Sequence, residues 1–168
     1  KKPLIMKMNP EVVMIGLGYI GLPTAALIAQ NKTSVHGVDI NPTVVNTINE
    51  GKIHIVEPDL GSAVSEAVKE GYLKADIKPV TANTYLIVVP TPFKAKNEPD
   101  ISFVESATKS IIPLLKEDDL YIIESTSPIG TTEKMVDLIY QERPELEGKL
   151  NAAYCPERVL PGNVMYEL

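Results

Sequence analysis

Gly16, Gly18 and Gly21 follow directly on the apolar run Val12-Val13-Met14-Ile15, and no other feature narrows the fold of this chain as much. A short apolar run of this kind reads as a strand buried on both faces, and a helical pattern opens at Leu22. The turn between them, Gly16-Leu17-Gly18-Tyr19-Ile20-Gly21, has a backbone that can come close to a pyrophosphate. The helix that follows aims its free N–H groups and positive dipole end at the same place. A second strand, Val35-His36-Gly37-Val38, runs into Asp39, 18 positions beyond Gly21. That is close to the roughly 20-residue spacing of the acid that holds the adenosine ribose hydroxyls. Gly16, Gly18, Tyr19, Ile20, Gly21 and Asp39 are therefore the first cofactor-binding candidates. The alternative is a turn that is glycine-rich only for packing, with Asp39 an ordinary solvated strand end. A carboxylate at Asp39 accepts from a free 2′-hydroxyl and repels a 2′-phosphate, so NAD is favoured over NADP. The nearest cation after it, Lys52, is too far along the chain to clamp a 2′-phosphate.

The rest of the chain alternates strand and helix signals, which predicts an α/β fold: a Rossmann-type, doubly wound parallel sheet of about six strands in one domain. Asn41 caps a helix with Pro42 at its first position and Gly51 just past its end. Residues 53–58 connect to a helix over 60–70, stopped by Gly71. Residues 77–80 are the third-strand candidate, and residues 85–89 a strong fourth strand ended by Pro90-Thr91-Pro92. Ser102-Phe103-Val104-Glu105 reads as a capping box, and Pro113 should kink or shorten the helix it opens. Leu120-Tyr121-Ile122-Ile123 is a fifth strand, a helix starts near Thr131 or Thr132, and residues 150–154 form a sixth strand.

In such a sheet ligands gather beyond the carboxyl ends of the strands. This adds Pro90, Thr91, Thr126 and, at the next helix start, Thr132 to the cofactor candidates. For each threonine the alternative is a strand-end hydroxyl capping a turn. The net charge of −6 argues against nucleic acid or an anionic membrane as a partner. No apolar run approaches a membrane span and no secretory signal is evident. A single cysteine fits a reducing, cytoplasmic setting. The two histidines, His36 and His54, sit on separate elements, so no metal site is expected. Among the first eight residues, Met6 and Met8 are plausible starts.

Taken together, Gly16 to Pro23, Gly37-Val38-Asp39-Ile40-Asn41, Val89-Pro90-Thr91-Pro92, Glu124-Ser125-Thr126 and Tyr154-Cys155-Pro156-Glu157-Arg158 resemble the UDP-glucose/GDP-mannose dehydrogenase family. Two further stretches, His54-Ile55-Val56-Glu57-Pro58 and Pro156-Glu157-Arg158-Val159-Leu160-Pro161-Gly162, resemble its branch that oxidises UDP-N-acetylmannosamine. The resemblance implies a four-electron oxidation of a UDP-2-acetamido sugar, in which a C6 alcohol becomes a carboxylate and two NAD+ are reduced, as a step in polysaccharide biosynthesis. Its implied course is hydride transfer to an aldehyde, capture by a cysteine thiolate, a second hydride transfer to a thioester, then hydrolysis. By resemblance Glu157 is the catalytic glutamate that activates or orients water, and Arg158 and Val159 line the sugar nucleotide. The alternative for Glu157 is a charge-pair partner of Arg158. Where the family often carries a second acid, four residues on, this chain has Pro161.

The family's nucleophile belongs to a glycine-rich cysteine motif that does not occur in these residues. Cys155 lacks those surroundings and reads as small apolar filler. The resemblance thus implies that residues 1–168 are an N-terminal NAD-binding domain, without the central helix and the UDP-sugar-binding domain, from a homo-oligomeric enzyme. Exposed apolar surface is expected where those parts would dock. Three other readings remain: another UDP-sugar 6-dehydrogenase of the same family, acting on UDP-N-acetylglucosamine or UDP-glucose; a free-standing NAD-binding module; and a two-electron hydroxyacid dehydrogenase of similar fold.

Overall fold

The computed structural model describes residues 9–94 and 98–168; the candidate starts Met6 and Met8 lie outside the described residues. Six strands form one parallel sheet: β1 (Val12–Ile15), β2 (Val35–Val38), β3 (Leu73–Asp76), β4 (Thr84–Ile87), β5 (Leu120–Ile123) and β6 (Asn151–Tyr154), in the order β3-β2-β1-β4-β5-β6. The strand order reverses between β1 and β4, which opens a crevice at their carboxyl ends.

Helices α1 (Gly21–Gln30), α2 (Pro42–Asn49) and α3 (Leu60–Glu70) cover one face; α4 (Ser102–Ile111) and α5 (Thr131–Glu142) cover the other. A short α6 (Val164–Glu167) returns to α1. Alternation along β1 supplies both cores. Val12 and Met14 join Leu22, Ala26 and Val64, while Val13 and Ile15 join Ile111, Ile123 and Met135. Burial on both faces is why this strand is apolar at every position. The two largest core side chains also have their hydroxyls partnered: Tyr85 accepts the Ala82 N–H at 3.0 Å, and Tyr121 pairs with Thr108 at 2.6 Å.

Several expectations hold in detail. Asn41 Oδ1 accepts the Thr43 N–H at 3.0 Å with Pro42 first in α2, and Gly71 ends α3 in a left-handed conformation. Beyond Ile111 the chain tightens to a single 3-10 turn, Ile112–Leu114, around Pro113.

Four expectations are corrected. The third strand is Leu73–Asp76, not residues 77–80. It is an edge strand buried on one face only, through Leu73 and Ala75, so it carries little apolar signal; residues 77–80 lie past its end, where Pro79 has no N–H to pair. The fourth strand ends at Ile87, because Val88 and Val89 turn into the crevice and the Val89 N–H is taken by Ser125 Oγ at 2.9 Å. The capping box does not form: Ser102 is already helical, Asp100 Oδ1 accepts its N–H at 2.9 Å, and Glu105 pairs with Lys109. Cys155 is exposed rather than filler, because it leaves the edge strand β6, all four of whose residues are exposed. Tyr154, Leu160, Tyr166 and Leu168 are exposed apolar side chains in the same region.

Candidate dinucleotide site

The glycine turn is clasped between its neighbouring strands. Gly16 donates to the Val38 carbonyl and Val88 to the Ile15 carbonyl, each at 2.8 Å. Gly16 has φ +102°, and a Cβ there would lie 2.1 Å from the Val88 carbonyl oxygen. A Cβ on Gly21 would lie 1.9 Å from the Gly16 carbonyl oxygen. A Cβ on Gly18 would meet nothing within 4 Å. Two glycines thus serve close packing of the chain on itself, while the third borders open space. Helix α1 begins at this turn with no capping side chain and no acid in its first turn, so its positive end faces the space uncompensated.

That space is a cavity of about 400 Å³, walled by Gly16, Gly18, Tyr19, Ile20, Asp39, Pro90, Thr91, Thr126 and Glu157, together with Val88, Glu124 and Ser125. A second hollow of about 420 Å³ shares Gly16, Asp39, Val89 and Pro90 with it and is otherwise mainly apolar, lined by Ile40, Ile77, Pro79 and Phe103, with Ser106 and Ser110 on the α4 side. Both volumes are of ligand size, and a hollow edged with carboxylates and hydroxyls, joined to a mainly apolar slot across one acid, suits the two halves of a dinucleotide. Asp39 stands at the junction. Its Oδ1 accepts the Asn41 N–H at 2.9 Å and its Oδ2 the Leu17 N–H at 3.2 Å, which fixes the carboxylate at the end of β2. Lys52 is paired with Glu50 and lies at neither hollow.

The structure therefore gathers most of the candidates, but not all of them. Gly21 sits behind the cavity as the first residue of α1. Thr132 lines a different hollow, between the start of α5 and β6, with Tyr154. Arg158 and Val159 line a third hollow of about 470 Å³, on the other side of Glu124 and Glu157, with Thr24, Cys155 and Leu168. Glu157 Oε2 accepts the Val159 N–H at 2.8 Å, and none of the ion pairs among the described residues joins it to Arg158. The charge-pair alternative for Glu157 is therefore not what this structure adopts. His36 is buried, its Nε2 at 3.0 Å from the Lys78 carbonyl oxygen, and His54 is exposed on its connection.

Two features of the site escape motif reading. Ile40, Ile77 and Phe103 make the apolar slot, yet nothing in their spacing marks them; their exposure at the strand and helix ends is a property of the fold. Glu124 is marked in the sequence only as part of Glu124-Ser125-Thr126, with no role of its own. It is 7% exposed, it lines both the first and the third hollow, and its Oε2 has no hydrogen-bond partner among the described residues. Burial pushes its carboxyl up to about 7; a 3.4 Å hydrogen bond from Thr24 opposes this, and the nearby Glu157 adds to it.

Comparison with known proteins agrees with this geometry. Residues 10–168 match the UDP-glucose/GDP-mannose dehydrogenase family, NAD binding domain. The UDP-N-acetyl-D-mannosamine dehydrogenase of Escherichia coli K12 is 56% identical over 165 residues, covering 94% of this chain and 39% of that protein. An NDP-N-acetyl-D-galactosaminuronic acid dehydrogenase of Ralstonia nicotianae is 50% identical over the same share of each. The solved UDP-N-acetyl-mannosamine dehydrogenase of Staphylococcus aureus superposes with a TM-score of 0.88 at 36% identity, over 93% of this chain and 39% of that one. The chain thus spans about two fifths of the length of the curated relatives it matches. Among the described residues no helix is long and apolar enough to cross a membrane.

Proposed function

The chain belongs to the UDP-glucose/GDP-mannose dehydrogenase family, whose NAD-binding domain it matches, and on that footing we propose that it is the cofactor-binding part of a cytoplasmic, homo-oligomeric UDP-N-acetyl-D-mannosamine 6-dehydrogenase. The observation that carries the reading is the paired hollow at the switch point, with Gly18 open to it and Asp39 at its junction. In this reading residues 1–168 are the N-terminal domain, and a central helix and a UDP-sugar domain supply the cysteine nucleophile. A sister 2-acetamido sugar is the second reading, favoured by the similarity to the Ralstonia enzyme.

NAD+, when bound, accepts the hydride in each of the two oxidations. The chain's own residues do the rest of the work on this side of the reaction. Gly16 to Gly21 and the start of α1 would seat the pyrophosphate, Asp39 would hold the adenosine ribose, and the slot of Ile40, Ile77 and Phe103 would take the flat faces of the adenine. Pro90, Thr91 and Thr126 line the path towards Glu157 without crowding it. Glu157, half-buried and tied to the Val159 N–H, is placed to orient or deprotonate the hydrolytic water. Arg158 and Val159 face the sugar nucleotide, where a guanidinium suits phosphate or acetamido oxygen. Thr132, in its separate hollow, acts on the cofactor only if bound nucleotide draws the start of α5 towards the crevice. The net charge of −6 leaves the chain poorly suited to nucleic acid or an anionic membrane. The polysaccharide-precursor role follows from the uronic acid product.

Calorimetric titration with NAD+, NADP+ and UDP-N-acetylmannosamine tests this. NAD+ is expected to bind more tightly than NADP+. Asp39→Ala is expected to weaken NAD+ at least tenfold, since a hydrogen bond to a charged group contributes about 1.5–3 kcal/mol. Because Asp39 also holds the Leu17 and Asn41 N–H groups, each on its own oxygen, Asp39→Asn, which keeps the shape and an acceptor for one of the two, should show a milder loss than Asp39→Ala with the same sign. Equal affinity for the two dinucleotides, or no loss in either variant, would remove Asp39 from the role.

A further inference from the structure

The two stretches that resemble the acetamido-sugar branch, residues 54–58 and 156–162, are about a hundred positions apart in sequence and joined by one side chain. Glu57 is 5% exposed. Its Oε2 accepts the Gly162 N–H at 2.9 Å and its Oε1 the Val164 N–H at 2.7 Å. Both carboxylate oxygens are thus spent on the backbone of one returning loop, which is a strong and directional arrangement for a buried acid. Tyr166 adds a hydrogen bond to Asp59 on the same connection, and Val164 is buried at 1% beside it. At its other end the loop is fixed by the Cys155 N–H on the Ile123 carbonyl of β5, at 2.9 Å. Between these two anchors lie Glu157, Arg158 and Val159. Glu57 itself lines none of the three hollows, so its carboxylate does not face the dinucleotide.

We propose that Glu57 is a positioning residue: by clamping Gly162 and Val164 it holds the segment carrying Glu157, Arg158 and Val159 in the pose that meets the sugar nucleotide. The inference rests on the function proposed above. It assigns the His54-to-Pro58 stretch a task that no cofactor contact explains. With the clamp released, the return at Gly162 and Val164 loses both of its side-chain acceptors. It keeps the β5 anchor, the Leu160 N–H bond to Glu167 and the Tyr166 bond to Asp59, so that Arg158 and Val159 are held less firmly when the sugar nucleotide binds. Binding of the sugar nucleotide should then suffer while dinucleotide binding does not.

The test is made in the intact dehydrogenase containing this chain, with Glu57→Gln and Glu57→Asp. Gln keeps the shape but has one acceptor oxygen in place of two; Asp keeps both oxygens on a shorter stem. The expected result for Glu57→Gln is a KM for UDP-N-acetylmannosamine raised tenfold or more, with KM for NAD+ within twofold. Amide exchange at Gly162 and Val164 should be faster by a similar factor. Glu57→Asp should recover part of both effects. Wild-type enzyme that fails to turn over UDP-N-acetylmannosamine sinks the parent reading and the inference with it. Wild-type turnover with both KM values moving together, or neither moving, sinks the inference alone. If Glu57→Gln does not fold, Glu57→Asp is read on the same three quantities; if neither folds, Glu57 is a determinant of the fold and the positioning role is rejected.

Discussion

Alanine at Gly16 or at Gly21 is expected to remove the cooperative unfolding transition of this chain, whereas alanine at Gly18 leaves the transition in place and weakens dinucleotide binding. The difference follows from what each new methyl would meet. At Gly21 it lands 1.9 Å from the Gly16 carbonyl oxygen, and at Gly16 it lands 2.1 Å from that of Val88. Both obstacles are backbone, held in turn by the sheet, so neither can retreat the way a side chain can. Gly16 adds a left-handed φ of +102° that an alanine adopts only under strain. Overpacking of this severity costs several kcal/mol, against a total stability of about 5–15 kcal/mol for a domain. At Gly18 the methyl enters open space bordering the cavity and disturbs nothing in the free chain. It does occupy ground that a pyrophosphate needs, and the lost backbone contacts to a charged group should lower NAD+ affinity roughly tenfold to a hundredfold. Thermal unfolding and calorimetry on the three variants decide the matter. NAD+ binding by Gly18→Ala at wild-type strength would mean that the pyrophosphate lies elsewhere. Unchanged melting of Gly16→Ala or Gly21→Ala would mean that the turn is not packed as described.

The same turn shows why part of the site is legible in sequence. Gly16, Gly18, Gly21 and Asp39 belong to one βαβ unit whose parts are local, and local geometry imposes fixed spacings. β1 and β5 are equally legible, one through burial on both faces and the other through a dense apolar run. Legibility fails where a residue's surroundings come from distant chain. Leu73 to Asp76 is a strand because β2 lies beside it, not because of its own composition. Cys155 looks like a core residue until β6 proves to be an edge. Thr132 has the right local chemistry, but the turn over residues 127–130 places it in a different hollow. Glu57 is the sharpest case, because its partners lie more than a hundred positions away and are backbone amides, to which residue identity gives no clue. Glu124 belongs with it: the motif marks the position, while the missing partner of Oε2 is visible only once α1 and the return after β6 are packed around it.

Glu124 gives the second large expected effect, a pH dependence that one substitution should erase. Burial, opposed weakly by Thr24 and reinforced by Glu157, moves its carboxyl from an ordinary 4.5 to about 7 in the folded chain. Below pH 4.5 the group is protonated in both folded and unfolded states and adds no pH dependence. Between about 4.5 and 7 the unfolded chain sheds the proton while the folded chain keeps it, so stability falls as pH rises through this window. Above about 7 both states are ionised and the full penalty, on the order of 3 kcal/mol, is in place. Glu124→Gln cannot ionise. Its stability relative to wild type is therefore expected to rise by about that amount between pH 4.5 and 8, whatever constant offset the amide brings. Denaturant titrations of the two proteins at several pH values measure the difference directly, and contributions from groups that do not interact with Glu124, Asp119 among them, cancel in it. The cavity carries the consequence to ligands. The charged groups facing Glu124 across the first and third hollows are Asp39, Glu157, Arg158 and Glu167, three of them acidic. A cationic ring entering beside these groups favours the ionised form of Glu124. NAD+ binding is then expected to tighten by up to about tenfold between pH 6 and 8 in wild type, and not in Glu124→Gln. A stability difference that stays flat with pH would show that the carboxyl is not shifted. A stability difference that varies, with NAD+ affinity that does not, would place the ring away from Glu124 while leaving its burial intact.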